Sequence, residues 1–206
     1  MNSEPLHEEL LALIPRRQGH FRLESGHHGD LWLDLDSLFL RPTRLRRFTA
    51  ALALRFGDLA IEAVCGPLVG GAYLAQAVAA ELDVEFYHTE RVATTDGNDL
   101  HSANYRLPDT HRPRIAGKKV AIVDDAINAG SAVRATYLEL QASGARPAAV
   151  GALLVLGSLA AQLADGWHVP LEGIAHLPNE LWRPEACPLC VSGMPLEDGA
   201  RPQALA

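Results

Sequence analysis

The chain has 206 residues, 48% of them hydrophobic and 21% charged, a net charge of −7 and three cysteines. That size and balance suit one globular domain with a sizeable core, and the acidic charge argues against a nucleic-acid partner, which needs clustered positive charge. No apolar run approaches the roughly 18 residues that span a bilayer, and the acidic start MNSEPLHEELLALIPRR with an odd cysteine count gives the expectation of a cytoplasmic chain with no membrane and no disulfide framework.

In chain order, Leu6, Leu10, Leu11, Leu13 and Ile14 lie close to a helical stripe that Pro15 ends. Residues 20–39 nearly alternate apolar and polar through Leu31, Leu33 and Leu35, which predicts a strand or hairpin. Residues 42–56 predict a helix, with Leu45, Phe48, Leu52 and Leu54 apolar and Arg44, Arg46, Arg47 and Arg55 mostly on the wet side. A short strand over residues 60–65 then runs into GPLVGGAYLAQAVAAEL, where Gly66, Gly70 and Gly71 let backbone N–H groups approach an anion closely. Residues 84–88 predict another strand. From about residue 90 to 117 apolar periodicity lapses, although connections ordinarily run about 4–6 residues. That stretch carries Arg91, His101, Arg106, His111, Arg112 and Arg114, and is expected to be a polar lid over a polyanion.

The segment VAIVDDAINAGSA, residues 120–132, reads as a buried strand, an acidic pair, a tight turn and a helix start. A helix entered through such a turn offers unpaired N–H groups to a phosphate. Asp124 and Asp125 are placed to accept hydrogen bonds from sugar hydroxyls, so a ribose 5-phosphate fits both ends. The residues alone also allow solvated aspartates at a sheet's carboxyl edge, as in receiver-like domains. Strands at 148–156 and 171–175, with a short helix from Leu159 to Leu163, complete an α/β pattern: a mostly parallel sheet flanked by helices. In the tail, Cys187 and Cys190 form a CPLC pair with metal-knuckle spacing. Zinc there needs two more ligands, with His168, His176 or a partner chain's own pair as candidates; the alternative is a pair of reduced structural thiols. The last residues, rich in Pro and Gly, are expected to be flexible.

Three of these segments carry a family resemblance. VAIVDDAINAGSA resembles the phosphoribosyl pyrophosphate (PRPP) signature of the type I phosphoribosyltransferases, GPLVGGAYLA resembles their pyrophosphate loop, and FRLESG, residues 21–26, resembles the FxLxSG opening of the orotate enzymes. YHTER and YRLPDTHRPRIAGKKV are similar to segments flanking a hairpin in that branch. The resemblance spans residues 18–176. It implies one domain over 1–180 with a lid at 90–117, a tail at 181–206, and a small hood built from the N- and C-terminal segments.

The implied reaction transfers the 5-phosphoribosyl group from PRPP to a nucleobase, orotate favoured, in pyrimidine biosynthesis, with Mg²⁺ carried on PRPP and a homodimer as the assembly. The resemblance assigns Asp124, Asp125 and Arg91 to catalysis, with the two aspartates on the ribose hydroxyls and the metal's water shell. It assigns Asn128, Ala129, Gly130, Ser131 and Ala132 to the 5-phosphate, Leu68, Val69, Gly70 and Gly71 to pyrophosphate, and Phe21, Ser25 or His27 to the base. Asn128 stands where the family usually has Thr, Glu24 where the orotate enzymes commonly have Lys, and the lid stretch lacks the lysines of many members. Transfer to a different base, and a PRPP-binding regulator without catalysis, therefore stand as alternatives.

Overall fold

Two sheets organise the chain in the computed structural model, which describes residues 3–92 and 104–198. Helix α1 (Ser3–Leu13) leads into a hairpin of β1 (Arg16–Arg22) and β2 (His28–Leu33), then α2 (Asp36–Phe39) and α3 (Pro42–Phe56). Pro42 opens α3 at the first turn, where its missing N–H leaves no bond unmade. An alternating run follows: β3 (Ala63–Pro67), α4 (Gly70–Leu82), β4 (Glu85–Val92), β5 (Asn104–Arg106), α5 (Arg112–Ile115), β6 (Lys119–Ile127), α6 (Ser131–Ala142), β7 (Arg146–Leu156), α7 (Leu159–Trp167) and β8 (Leu171–Leu177). The described chain closes with α8 (Pro188–Val191) and β9 (Glu197–Asp198).

The larger sheet has the order β5-β4-β3-β6-β7-β8, with β5 antiparallel to β4 and every other pairing parallel. Strand β6 shows why its sequence is apolar without alternation. Val120 and Ile122 pack with Val133 and Leu140 of α6 and Ala160 of α7, while Ala121 and Val123 pack with Phe48 and Leu52 of α3 and Leu74 and Val78 of α4. Both faces are covered, so both residue sets are apolar; each fully buried Leu or Ile contributes about 1.5–3 kcal/mol. The strand also runs on to Ile127, past the aspartates expected to close it.

The second sheet, β2-β1-β9, is the hood, and both chain ends build it: β9 lies parallel to β1, and Trp182 bridges His28. Its hairpin is irregular. Between Gln18 and Phe21 the register slips by one residue, a bulge that buries the consecutive residues His20 and Phe21.

The expected lid over 90–117 is corrected in its second half. Residues 104–106 form an edge strand, and Tyr105, Leu107 and Ile115 are buried. Three apolar residues so widely spaced make no period, yet they suffice to cover the edge of a sheet. Residues 93–103, including His101, and the tail end 199–206 lie outside the described residues. Among the described residues no helix is long and apolar enough to cross a membrane.

Candidate active site

Strands β3 and β6 are neighbours in the sheet, but α4 leaves β3 on one face and α6 leaves β6 on the other. This is the crevice where a parallel α/β sheet receives ligands. A cavity of about 760 Å³ lies there, lined by the 67–70 and 124–132 segments and, from the hood, by Glu24, Ser25 and Trp32. Neither α4 nor α6 has a side-chain cap at its N-terminus, so first-turn N–H groups remain available to anions. Gly130 enters α6 at φ 74°, a left-handed conformation open to glycine.

The two loops are pressed together through their glycines. A Cβ on Gly70 would stand 2.1 Å from Asp125 Oδ2, and one on Gly71 would stand 2.6 Å from Asp124 Oδ1. Beneath them, a Cβ on Gly66 would meet the Gly71 carbonyl oxygen at 2.1 Å. The glycine spacing thus brings the acidic pair against the first turn of α4. Leu68 and Val69 are exposed at the mouth, and the peptide between them is cis.

Burial, and then the neighbouring Asp125 charge, push the Asp124 carboxyl well above the usual carboxylate range. Burial likewise raises Asp125, opposed by the Ala126 N–H that donates to its Oδ1 at 2.8 Å. Two crowded carboxylates suit partners that bring positive charge or hydroxyl donors: a hydrated divalent cation and a sugar diol both qualify. Across the cavity, Arg91 Nη1 lies 3.1 Å from Glu24 Oε1, and the Tyr105 hydroxyl donates to the same oxygen at 3.0 Å. Burial and the Glu24 charge raise the Tyr105 phenol, keeping that proton in place. Glu24, the departure from lysine, is therefore neutralised by the arginine expected to serve pyrophosphate.

Of the residues expected to meet the base, Ser25 lines the cavity and accepts or donates with His27 Nδ1 at 3.1 Å. Phe21 is corrected: it is fully buried within the hood, against Trp32 and beneath the Arg17 guanidinium, and offers no ring face to the cavity. Trp32 of β2 and Tyr105 of β5 are the aromatic residues on the cavity wall, brought there from two different sheets, a placement that the sequence pattern does not reveal. Asn179 was also missed. Its Nδ2 donates to Asn128 Oδ1 at 3.0 Å, tying the phosphate turn to the segment after β8.

Residues 42–164, more than half of the chain, match the phosphoribosyl transferase domain family. Orotate phosphoribosyltransferase of Heliobacterium modesticaldum is 33% identical over 188 residues, covering 89% of this chain and 91% of the relative. That of Caldanaerobacter subterraneus subsp. tengcongensis is 29% identical over 199 residues, covering 95% and 96%. Two solved structures share the fold: Aeropyrum pernix orotate phosphoribosyltransferase, with TM-score 0.62 at 21% identity over 86% of this chain and 94% of that one, and Rhodothermus marinus adenine phosphoribosyltransferase, with TM-score 0.66 at 22% identity over 84% and 99%. At those identities the likeness concerns architecture alone, and it is shared by enzymes of different bases. The sequence relatives, the matched domain and the paired glycine turns agree: this chain belongs to the phosphoribosyltransferase family, in its orotate branch.

Proposed function

We propose that this chain transfers the 5-phosphoribosyl group of PRPP to orotate, forming orotidine 5′-phosphate and releasing pyrophosphate. The observation that carries it is one cavity in which two uncapped helix starts flank a crowded aspartate pair, an arrangement suited to a substrate with an anion at each end and a diol between. The C1′–N bond to the base forms as the C1′–O bond to pyrophosphate breaks, with inversion, and no side-chain nucleophile takes part. Positive charge develops on the sugar, so the protein acts by positioning, electrostatics and exclusion of water.

The α6 N–H groups from Gly130 to Ala132, with Asn128 and Ala129 before them, hold the 5-phosphate. Leu68 to Gly71 hold pyrophosphate by backbone N–H groups, and Asp124 and Asp125 orient the ribose hydroxyls. Mg²⁺, when bound with PRPP, neutralises the departing pyrophosphate, and the crowded carboxylates fit its water shell. Ser25, His27 and Trp32 form the base side. The assembly carried with this reading is a homodimer in the cytoplasm.

Arg91 must exchange Glu24 for pyrophosphate as PRPP binds. Arg91→Ala is expected to raise the KM for PRPP about tenfold, equivalent to ~1.4 kcal/mol; an unaltered KM in steady-state assays removes Arg91 from that role. The same ion pair is the observation favouring a PRPP-binding protein without turnover. A base panel separates the readings: pyrophosphate release with orotate and none with adenine supports the proposal. Release with a purine alone reassigns the base, and thermal stabilisation by PRPP and Mg²⁺ with no release from any base makes the chain a binding protein.

A further inference from the structure

Outside the cavity, the described residues bring together one cluster of metal-ligating side chains: His20, His28, Cys187 and Cys190, whose ligand atoms all lie within 4.8 Å of one another. We propose that these four residues form a tetrahedral zinc site that fastens the C-terminal segment onto the hood hairpin. The third and fourth ligands are thus His20 and His28 of the same chain, in place of the expected His168, His176 or a partner's cysteines.

The distances fit such a site. Nε2 of His20 lies 3.1 Å from Nδ1 of His28, 3.4 Å from Sγ of Cys187 and 3.7 Å from Sγ of Cys190, and the Cys190 sulfur lies 3.3 Å from His28 Nδ1. A tetrahedron with Zn–N of about 2.0–2.1 Å and Zn–S of about 2.3 Å has edges of roughly 3.3–3.8 Å. Hydrogen bonding is a poor alternative account. A single imidazole nitrogen has one in-plane hydrogen or one lone pair, yet His20 Nε2 faces three atoms at once. Convergence of four soft and borderline donors on one point is the arrangement a zinc ion takes up.

The surroundings complete it. The other ring nitrogen of His20 donates to the Met194 carbonyl at 2.8 Å, which leaves Nε2 as the free donor atom and orients the ring. His20, His28 and Cys187 are buried while Cys190 is exposed, giving a closed site with one open side for entry. The knuckle is preformed around α8, with the Val191 N–H donating to the Cys187 carbonyl and the Gly193 N–H to that of Cys190. The β1 bulge turns His20 toward it. Because Glu24 and Ser25 lie on the loop between the two histidines, the metal fixes the hood side of the cavity. Binding displaces the two thiol protons and couples metal affinity to folding.

Metal analysis of untagged wild-type protein, purified without added metal or chelator, is expected to give about one zinc per chain. Cobalt(II) added to protein stripped of metal is expected to give the visible bands of a tetrahedral ion with thiolate charge transfer. Cys190→Ser, altered on the exposed side, loses both signals, and His28→Gln does the same without removing a thiol. Zinc below about one-tenth per chain together with no tetrahedral cobalt spectrum overturns the site, as does full zinc content retained in both variants.

Discussion

Asp125→Asn is expected to lower turnover at least tenfold, about 1.4 kcal/mol of transition-state stabilisation, while raising the melting temperature of the ligand-free protein. The two effects share one cause. Burial raises both carboxyls of the pair, with the Asp125 charge adding to the rise at Asp124. A carboxyl whose folded pKa is raised binds its proton more tightly in the folded chain than in the unfolded one. Stability therefore grows as pH falls through that raised pKa and declines as pH rises through it. At neutral pH the pair is a cost to the fold, relieved when PRPP supplies hydroxyl donors and its cation. Asparagine keeps an oxygen for the Ala126 N–H and removes the charge. Each ~1 kcal/mol so recovered is worth roughly 2–4 °C in a chain of this size. Melting curves should show the variant's advantage shrinking as pH drops into the acid range. A variant with unchanged turnover, or one that melts lower than wild type at neutral pH, contradicts the assignment.

The glycines behind that pair are expected to separate fold from function. In Gly66→Ala the new methyl meets the Gly71 carbonyl oxygen at 2.1 Å, its carbon at 2.4 Å and the Ala72 nitrogen at 2.9 Å, all backbone. Nothing there can rotate away, so the first turn of α4 must shift off β3, at a cost of about 1–3 kcal/mol or more. In Gly70→Ala the methyl meets a carboxylate instead, and Asp125 can turn aside. The fold survives, but a misplaced catalytic group costs on the order of 100-fold in rate. Calorimetry and turnover on both variants check this. Full activity in Gly70→Ala would mean that Asp125 does not work from the position it occupies here.

Much of this was legible in the sequence for local reasons. Strand β6, its acidic pair and the Gly130 turn are contiguous, and each carries a residue type that the conformation demands. Helix α3 starts at Pro42 and spans the apolar stripe through Phe56, as its sequence says it should. What escaped was set by contacts distant in the chain. The bulge that buries both His20 and Phe21 leaves no mark on an alternating pattern, so Phe21 looked available to a ligand and His20 did not look like one member of a cluster. The cysteines that meet His20 lie more than 160 residues away, brought there by the parallel pairing of β9 with β1. Asn179 and Trp32 belong to the same class: ordinary residues in sequence, placed by topology behind the phosphate turn and on the cavity wall. Glu24 was legible as a departure, but its pairing with the Arg91 charge and the Tyr105 hydroxyl was not, because β5 is what carries Tyr105 to it.

PRPP-dependent transfer to orotate is followed by the loss of orotate absorbance with purified protein, PRPP and Mg²⁺, and by identifying the product. Orotidine 5′-phosphate and pyrophosphate are expected in equal amounts, with the rate falling at least about tenfold in Asp125→Asn. Undiminished orotate in the presence of wild-type protein that PRPP demonstrably stabilises would contradict it.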